Sequence, residues 1–335
     1  MSLDFSEFTL PDKEQWKNKI MSDLKGKKNY EELNYMLDGH IMLDACQYSA
    51  HPNDHSPLIF NPCGAGADIR ITDSTEANKA AHQLLQSGIQ SLYFKIDDVS
   101  EAEILLKDIQ PQYVQILLDM SSCSATKISE FMNYIYLHFP ENIGQFIFNY
   151  AESADNKPSE FRDVCGQIHL NENITGQLTD LFKNISEGKK VLHPAGSVLF
   201  MSASHLIPDT IAALRAVRIL DKTFRSVKPE GAMTDHSFYI AVRPDPGNLS
   251  DDVNIRLIQM TYIMFAAYAG GADTMLSLPV FNASDTEYAR LSLNIPHLFN
   301  EESKLNRVSD PFAGSYFIEN ATNAMVDQVM NALQH

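Results

Sequence analysis

Runs of basic residues are missing from this sequence. Its 335 residues carry 26 Lys and Arg against 43 Asp and Glu, a formal net charge of −17. The densest basic cluster is Lys25-Gly26-Lys27-Lys28. A phosphate backbone is held by clustered cations, so nucleic acid is not expected as a partner. Small anions stay open, because local charge decides those. Long apolar runs are missing too, and no membrane span is expected. The nearest stretch, residues 255–272, is interrupted by Arg256, Gln259 and Thr261 and reads as a buried helix. The N-terminus, MSLDFSEFTLPDKEQW, has neither the basic start nor the apolar core of a signal peptide, so a cytoplasmic protein is expected. Cysteine is scarce: Cys46, Cys63, Cys123 and Cys165 form no C-x-x-C pair. Cys165 and His169, four apart, fall short of a zinc site, and reduced, buried thiols are the expectation.

What is present is apolar material, 44% of the chain, and a regular alternation of elements. Trp16, Ile20 and Leu24 recur at helical spacing, followed by Gly26, a short Tyr/Leu segment and HPNDHSP. Residues 1–60 carry too little apolar surface for a core of their own. They read as an extended arm with a short helix that docks on the rest of the chain or on another subunit. From residue 61 the pattern is strand then helix. The first strand is placed at residues 68–72, and the next helix starts with Ser74 as N-cap and stops at Gly88. SLYFKI, YVQILLDM, GQFIFNY, residues 164–170, residues 197–203, SFYIAVRP and DTMLSL supply the other strands. A last helix runs through DTEYARLSLNIPHLFNEES. Eight strands alternating with helices predict an α/β protein, a (β/α)8 TIM barrel spanning residues 61–335.

Barrel enzymes work at the C-terminal ends of their strands. Those ends offer Asp97, Asp98, Asp119, Asn149, Tyr150, His169, Asn171, Ser204, His205, Arg243, Asp245, Leu278 and Pro279. Asp97, Asp119, His169 and His205 are of metal-binding types, but capping explains such residues equally, and no metal is expected. His205 is a candidate for proton transfer, because an unperturbed histidine has a pKa of about 6.5. Ser202 and Ser204 beside it leave room for a small pocket that binds substrate. The glycines of NPCGAGAD precede the expected first strand, so they do not read as a nucleotide loop.

The C-terminal third carries a resemblance. MFAAYAGGADTMLSLP and YARLSLNIPHLFNEESKLNRVSDPFAGSYFIENAT resemble methylmalonyl-CoA mutase. Gly270-Gly271, Ala289-Arg290, Glu301-Glu302-Ser303, Asp310-Pro311 and Gly314-Ser315-Tyr316 hold the family's places in order. EQWKNKIMSDLKGKKNYEELNY resembles the family's opening segment. The resemblance implies the family's substrate barrel, and adenosylcobalamin as cofactor of the assembled enzyme.

The departures imply a non-catalytic chain. The family's catalytic chain follows its first-strand Ile-Arg with Gln and a Tyr-Ala-Gly loop; here Ile69-Arg70 leads into Ile71-Thr72-Asp73-Ser74. Its S-G-Y-H stands here as Ser202-Ala203-Ser204-His205, so the histidine matches and the tyrosine is a serine. Its S-L-H-T-N after Gly-Gly has no counterpart between residues 272 and 278. Asp38-Gly39-His40 begins like the cobalamin motif D-x-H-x-x-G but ends in Leu43, and no cobalamin domain precedes His335. No cofactor is therefore expected on this chain. In the catalytic chain the CoA tail threads the barrel axis. Here either side-chain parity of SLYFKI and FYIAVR puts a bulky group inside, which predicts a filled bore. The resemblance thus implies a small, structural subunit of a heterodimeric mutase, docked to a large catalytic subunit that alone handles the CoA thioester, with His205 a remnant. Two alternatives stand beside it: a catalytic acyl-CoA mutase barrel whose cobalamin domain is a separate chain, and a barrel that binds a small metabolite without chemistry.

Overall fold

Nearly continuous apolar strands require a sheet covered on both faces. Gln115–Asp119 and Phe146–Asn149 are such strands, buried along almost their whole length. The computed structural model describes residues 12–47, 58–60, 62–150, 161–170, 173–187, 198–203, 206–226 and 238–334. In chain order these hold α1 (Lys13–Leu24), β1 (Tyr35–Leu37), β2 (Ile41–Leu43), β3 (Gly64–Ile69), α2 (Ser74–Leu85), β4 (Ser91–Lys95), α3 (Ala102–Leu105), β5 (Gln115–Asp119), α4 (Ala125–His138), β6 (Phe146–Asn149), β7 (Arg162–His169), α5 (Ile174–Ser186), β8 (Val198–Ala203), α6 (Ile207–Ser226), β9 (Tyr239–Pro244), α7 (Val253–Gly270), β10 (Thr274–Leu276), α8 (Thr286–Glu301) and α9 (Tyr316–Gln334). Strands β3 to β10 form one closed, parallel barrel in sequence order, with β10 pairing β3. The fold is the (β/α)8 barrel that the alternation predicts. Among the described residues no helix is long and apolar enough to cross a membrane.

Four local readings are corrected. The first barrel strand is Gly64–Ile69, not residues 68–72. Glycine is disfavoured in strands, so GAGAD does not look like one. Gly66 is admitted because the interior is crowded there: a Cβ would come within 2.7 Å of Leu276 Cδ2 and 3.0 Å of Ser91 Cβ. Helix α2 is capped by Asp73, whose side chain accepts from Glu76 N, while Ser74 already lies inside the helix. The helix after β4, which the strand–helix pattern places over SEAEILLKDI, is a single turn, Ala102–Leu105. Helix α9 was not expected at all, although Ile318, Ala321, Met325, Val326 and Val329 are buried at helical spacing.

The first described residues split into two parts with different attachments. Helix α1 begins with a capping box between Asp12 and Gln15, and none of its residues is buried. Lys13 reaches Asp44 at 3.1 Å, and Lys17 stands over the Tyr30 ring. The β1–β2 hairpin pairs Tyr35 with Leu43 and Leu37 with Ile41. It buries Leu37 and Leu43 in the main core and turns Met36 and Met42 outward. Its turn is fastened electrostatically. Asp38, in the left-handed region at φ 51°, accepts hydrogen bonds from Ile174 N (2.6 Å), Thr175 N (2.8 Å) and Thr175 Oγ1 (2.8 Å). This carboxylate therefore caps the positive end of α5. Asp209 of α6 accepts in turn from Asp38 N at 2.7 Å and from the Tyr35 hydroxyl. Asp38→Ala is expected to cost about 2 kcal/mol, the upper range for a lost cap. Hydrogen exchange checks it: amides of the hairpin and of residues 174 and 175 should exchange faster. Unchanged exchange there would show that the cap does not hold the hairpin.

Candidate functional site

The barrel interior is packed along its axis. Strand residues alternate in direction, and the register commits β4 to Ser91, Tyr93 and Lys95 inward and β9 to Tyr239, Ala241 and Arg243. Tyr93, Leu117, Ile147, Ala241 and Leu276 make one buried interior cluster, with Val164 and Tyr239 against it. Toward the N-terminal end, Ser91 Oγ lies 3.2 Å from Tyr239 Oη and 3.0 Å from Thr274 Oγ1. Such filling is the usual state of these barrels.

Above this plug, at the C-terminal mouth, sits a charged cluster. Asp68, fully buried on β3, takes a two-pronged contact from Arg70, with Nε at 3.0 Å and Nη2 at 2.8 Å. Asp119 ends β5 and accepts from the Tyr93 hydroxyl (2.6 Å), Lys95 Nζ (3.1 Å) and Asn149 Nδ2 (2.8 Å). Arg243 Nη1 donates to Tyr93 Oη at 3.0 Å, and its guanidinium carbon lies 5.5 Å from the Tyr93 ring centroid. Burial pushes the Asp68 carboxyl up, against the opposing pull of Arg70 and Arg243. Burial would also raise Asp119, but hydrogen bonds from Tyr93 and Ser121 and the charge of Lys95 outweigh it and hold its pKa low. Tyr93 is driven upward by burial and by the neighbouring Asp119 charge, so it stays a neutral donor.

The strand-end residues named from sequence scatter among several roles. Asp119, Asn149 and Arg243 meet in the mouth cluster. Asp97 is used in its own turn, accepting from Ser100 Oγ at 2.8 Å. Asp98 accepts from Ser124 N and Oγ at the start of α4, which lowers its pKa. Tyr150 is raised by burial and by its bond to Asp163. His169 is exposed, and its backbone is bracketed by Gln177. Asp245 caps the turn at Gly247. Leu278 and Pro279 line a cleft of about 320 Å³ with Leu249, Phe281 and Tyr288. Ser202 lies on β8 in register with Arg243. Asn171, Ser204 and His205 lie outside the described residues. Among the described residues no three His, Cys, Asp or Glu side chains converge as a metal site.

Sequence reasoning passed over Asp68, Arg70, Tyr93 and Lys95 as members of the site. The signal available was their spacing: residues two apart on a strand share a face, and Asp68 and Arg70 are charged residues at the end of a barrel strand.

Asp38-Gly39-His40 does not fit a cobalamin ligand. The Asp38 carboxylate is spent on α5, and His40 is held by the Asp38 carbonyl (2.7 Å) and by Gln328 (2.7 Å). The motif residues of the C-terminal third have packing roles. Gly270 lets α7 approach α6, where a Cβ would meet Leu214 Cδ1 at 2.7 Å. Gly271 caps α7 at φ 90° against Phe60. Asp310 and Glu319 both pair with Arg215, which is buried in α6. Gly314, at φ 82°, donates its N–H to Glu319 at the start of α9.

The Methylmalonyl-CoA mutase family matches residues 197–335. The methylmalonyl-CoA mutase small subunit of Porphyromonas gingivalis is 22% identical, over 97% of this chain and 62% of that protein. The small subunit of Propionibacterium freudenreichii subsp. shermanii is 28% identical over 25% of this chain and 14% of that protein. This chain thus spans about three-fifths of the first relative's length. Among solved structures, dihydropteroate synthase from Thermus thermophilus aligns over 72% of this chain and 99% of its own, at 11% identity and a TM-score of 0.38. Residues 197–335 thus match the methylmalonyl-CoA mutase family, and over nearly its whole length the chain is similar to one small subunit of that enzyme.

Proposed function

We propose that this chain is the small, structural subunit, or its barrel portion, of a cytoplasmic, heterodimeric methylmalonyl-CoA mutase that interconverts methylmalonyl-CoA and succinyl-CoA. The observation that carries the reading is the filled interior. Tyr93, Leu117, Ile147 and Leu276 are each at most 2% exposed where a CoA tail would have to run along the axis. Substrate then reaches the assembled enzyme through the large subunit alone. Adenosylcobalamin supplies the radical chemistry when bound to that assembly, and no residue of this chain is assigned to it. The docking element in this reading is the N-terminal part. Helix α1 leaves Trp16 and Met21 partly exposed, and the hairpin turns Met36 and Met42 outward. Exposed aromatics and methionines are enriched at interface centres.

The test is co-expression with a large mutase subunit. A stable complex is expected, together with no turnover of methylmalonyl-CoA by the isolated chain given adenosylcobalamin. Trp16→Ala should weaken assembly by tenfold or more if Trp16 anchors the interface. Turnover by this chain once a separate cobalamin domain is added would instead make it a catalytic barrel.

A further inference from the structure

We propose that the barrel mouth binds one small oxyanion, a carboxylate or a phosphate, on the guanidinium of Arg243. The site is independent of the large subunit and goes beyond the structural role. Three cations, Arg70, Lys95 and Arg243, meet two carboxylates, Asp68 and Asp119, so the cluster carries one positive charge in excess. In a chain of net charge −17 this is a reversal of sign within the cluster itself, while Asp97, Asp98 and Asp245 at the neighbouring strand ends bond to their own turns or to Ser124.

The two carboxylates are already spoken for. Arg70 takes Asp68 through two nitrogens, and Lys95, Tyr93 and Asn149 share Asp119. Arg243 is different. It gives Nη1 to the Tyr93 oxygen, and its Nε and Nη2 have no partner among the described residues. That oxygen is available because the Tyr93 proton points to Asp119. The tyrosine therefore fixes the guanidinium from below and leaves one edge of its planar fork unused. Two parallel N–H donors on one edge match the two oxygens of a carboxylate or phosphate. Arg243 is only half-buried and Lys95 is 34% exposed, so the cationic side of the cluster faces outward. The plug beneath closes the axis, which limits the ligand to a small anion and rules out a thioester tail threaded through the bore.

Isothermal titration of the full chain with acetate, succinate and inorganic phosphate at low ionic strength tests this, with chloride as the ionic-strength control. One anion per chain is expected, with R243M weakening it at least tenfold and R243K, which keeps the charge but not the fork, giving an intermediate loss. Acetate or succinate binding without phosphate would identify a carboxylate site, and the reverse a phosphate site. Should R243M fail to fold, the Arg243 Nε–H resonance of the wild-type chain, identified by its loss in R243K, is expected to move on adding the bound anion. No heat at about 10 mM anion, where even a contact of a few kcal/mol registers, overturns the proposal. So does an R243M chain that folds and binds as the wild type does, or an unmoved Arg243 resonance at saturation. None of these outcomes bears on assembly with a large subunit, so the two proposals fail separately.

Discussion

Arg215→Met is expected to lower the stability of this chain by about 3–5 kcal/mol, the range for removing one partner from a buried ion pair. Arg215 is 2% exposed within α6 and pairs with Asp310, 6% exposed, and with Glu319, 20% exposed, at 2.8 Å for the latter. The loss is not the worth of two attractive contacts. It is the cost of leaving two carboxylates beside an apolar side chain, most of all Asp310, which water reaches poorly. That origin can be separated from lost packing. In the triple variant R215M/D310N/E319Q the orphaned charges are gone, and a large share of the loss should return. Urea unfolding followed by circular dichroism reads both, as a shift of midpoint at constant slope. A single variant within 1 kcal/mol of wild type would mean that the carboxylates find other partners. A triple variant no better than the single would place the cost in packing.

The same triad shows which parts of the fold are open to reading in the sequence. The barrel is legible because eight apolar strand patterns alternate with helical ones, and a closed parallel sheet leaves few alternatives. Asp310-Pro311 and Gly314-Ser315-Tyr316 are legible as a family pattern, but not as the lead-in to a helix. Their purpose lies in Arg215, 95 residues earlier, and no local spacing points there. The hairpin is hidden for a similar reason. Asp38 and His40 look like the start of a ligand motif until the N-terminus of α5, over 130 residues away, claims the carboxylate. The first barrel strand is missed because Gly66 answers to its partners on the two flanking strands, Leu276 and Ser91, not to strand propensity. The mouth cluster is half legible. Asp119, Asn149 and Arg243 stand at strand ends, where the fold places function. Tyr93, Lys95 and Asp68 could be added only once the inward parity of each strand is fixed, and both parities of SLYFKI contain a bulky residue. The fullness of the bore follows from either parity; which residues fill it does not.

That filled bore gives the second large effect. Leu276→Ala is expected to cost about 2–5 kcal/mol, because Leu276 is wholly buried in the interior cluster and its neighbours are held by the closed sheet. Gly66→Ala is expected to cost about 1–3 kcal/mol by overpacking, since its new methyl would stand 2.7 Å from Leu276 Cδ2. The backbone itself raises no objection, as Gly66 does not adopt a positive φ. The two losses share one cause seen from opposite sides, so they should not add. In the double variant the methyl of residue 66 enters space vacated by Leu276, although Ser91 Cβ at 3.0 Å and Thr274 Oγ1 at 3.2 Å still crowd it. A coupling of at least about 1 kcal/mol in favour of the double variant is expected. Unfolding free energies of the four chains measure it directly. Strict additivity would mean that Leu276 and Gly66 do not meet inside the barrel where β10 pairs β3, and the packed axis on which the non-catalytic reading depends would lose one of its contacts.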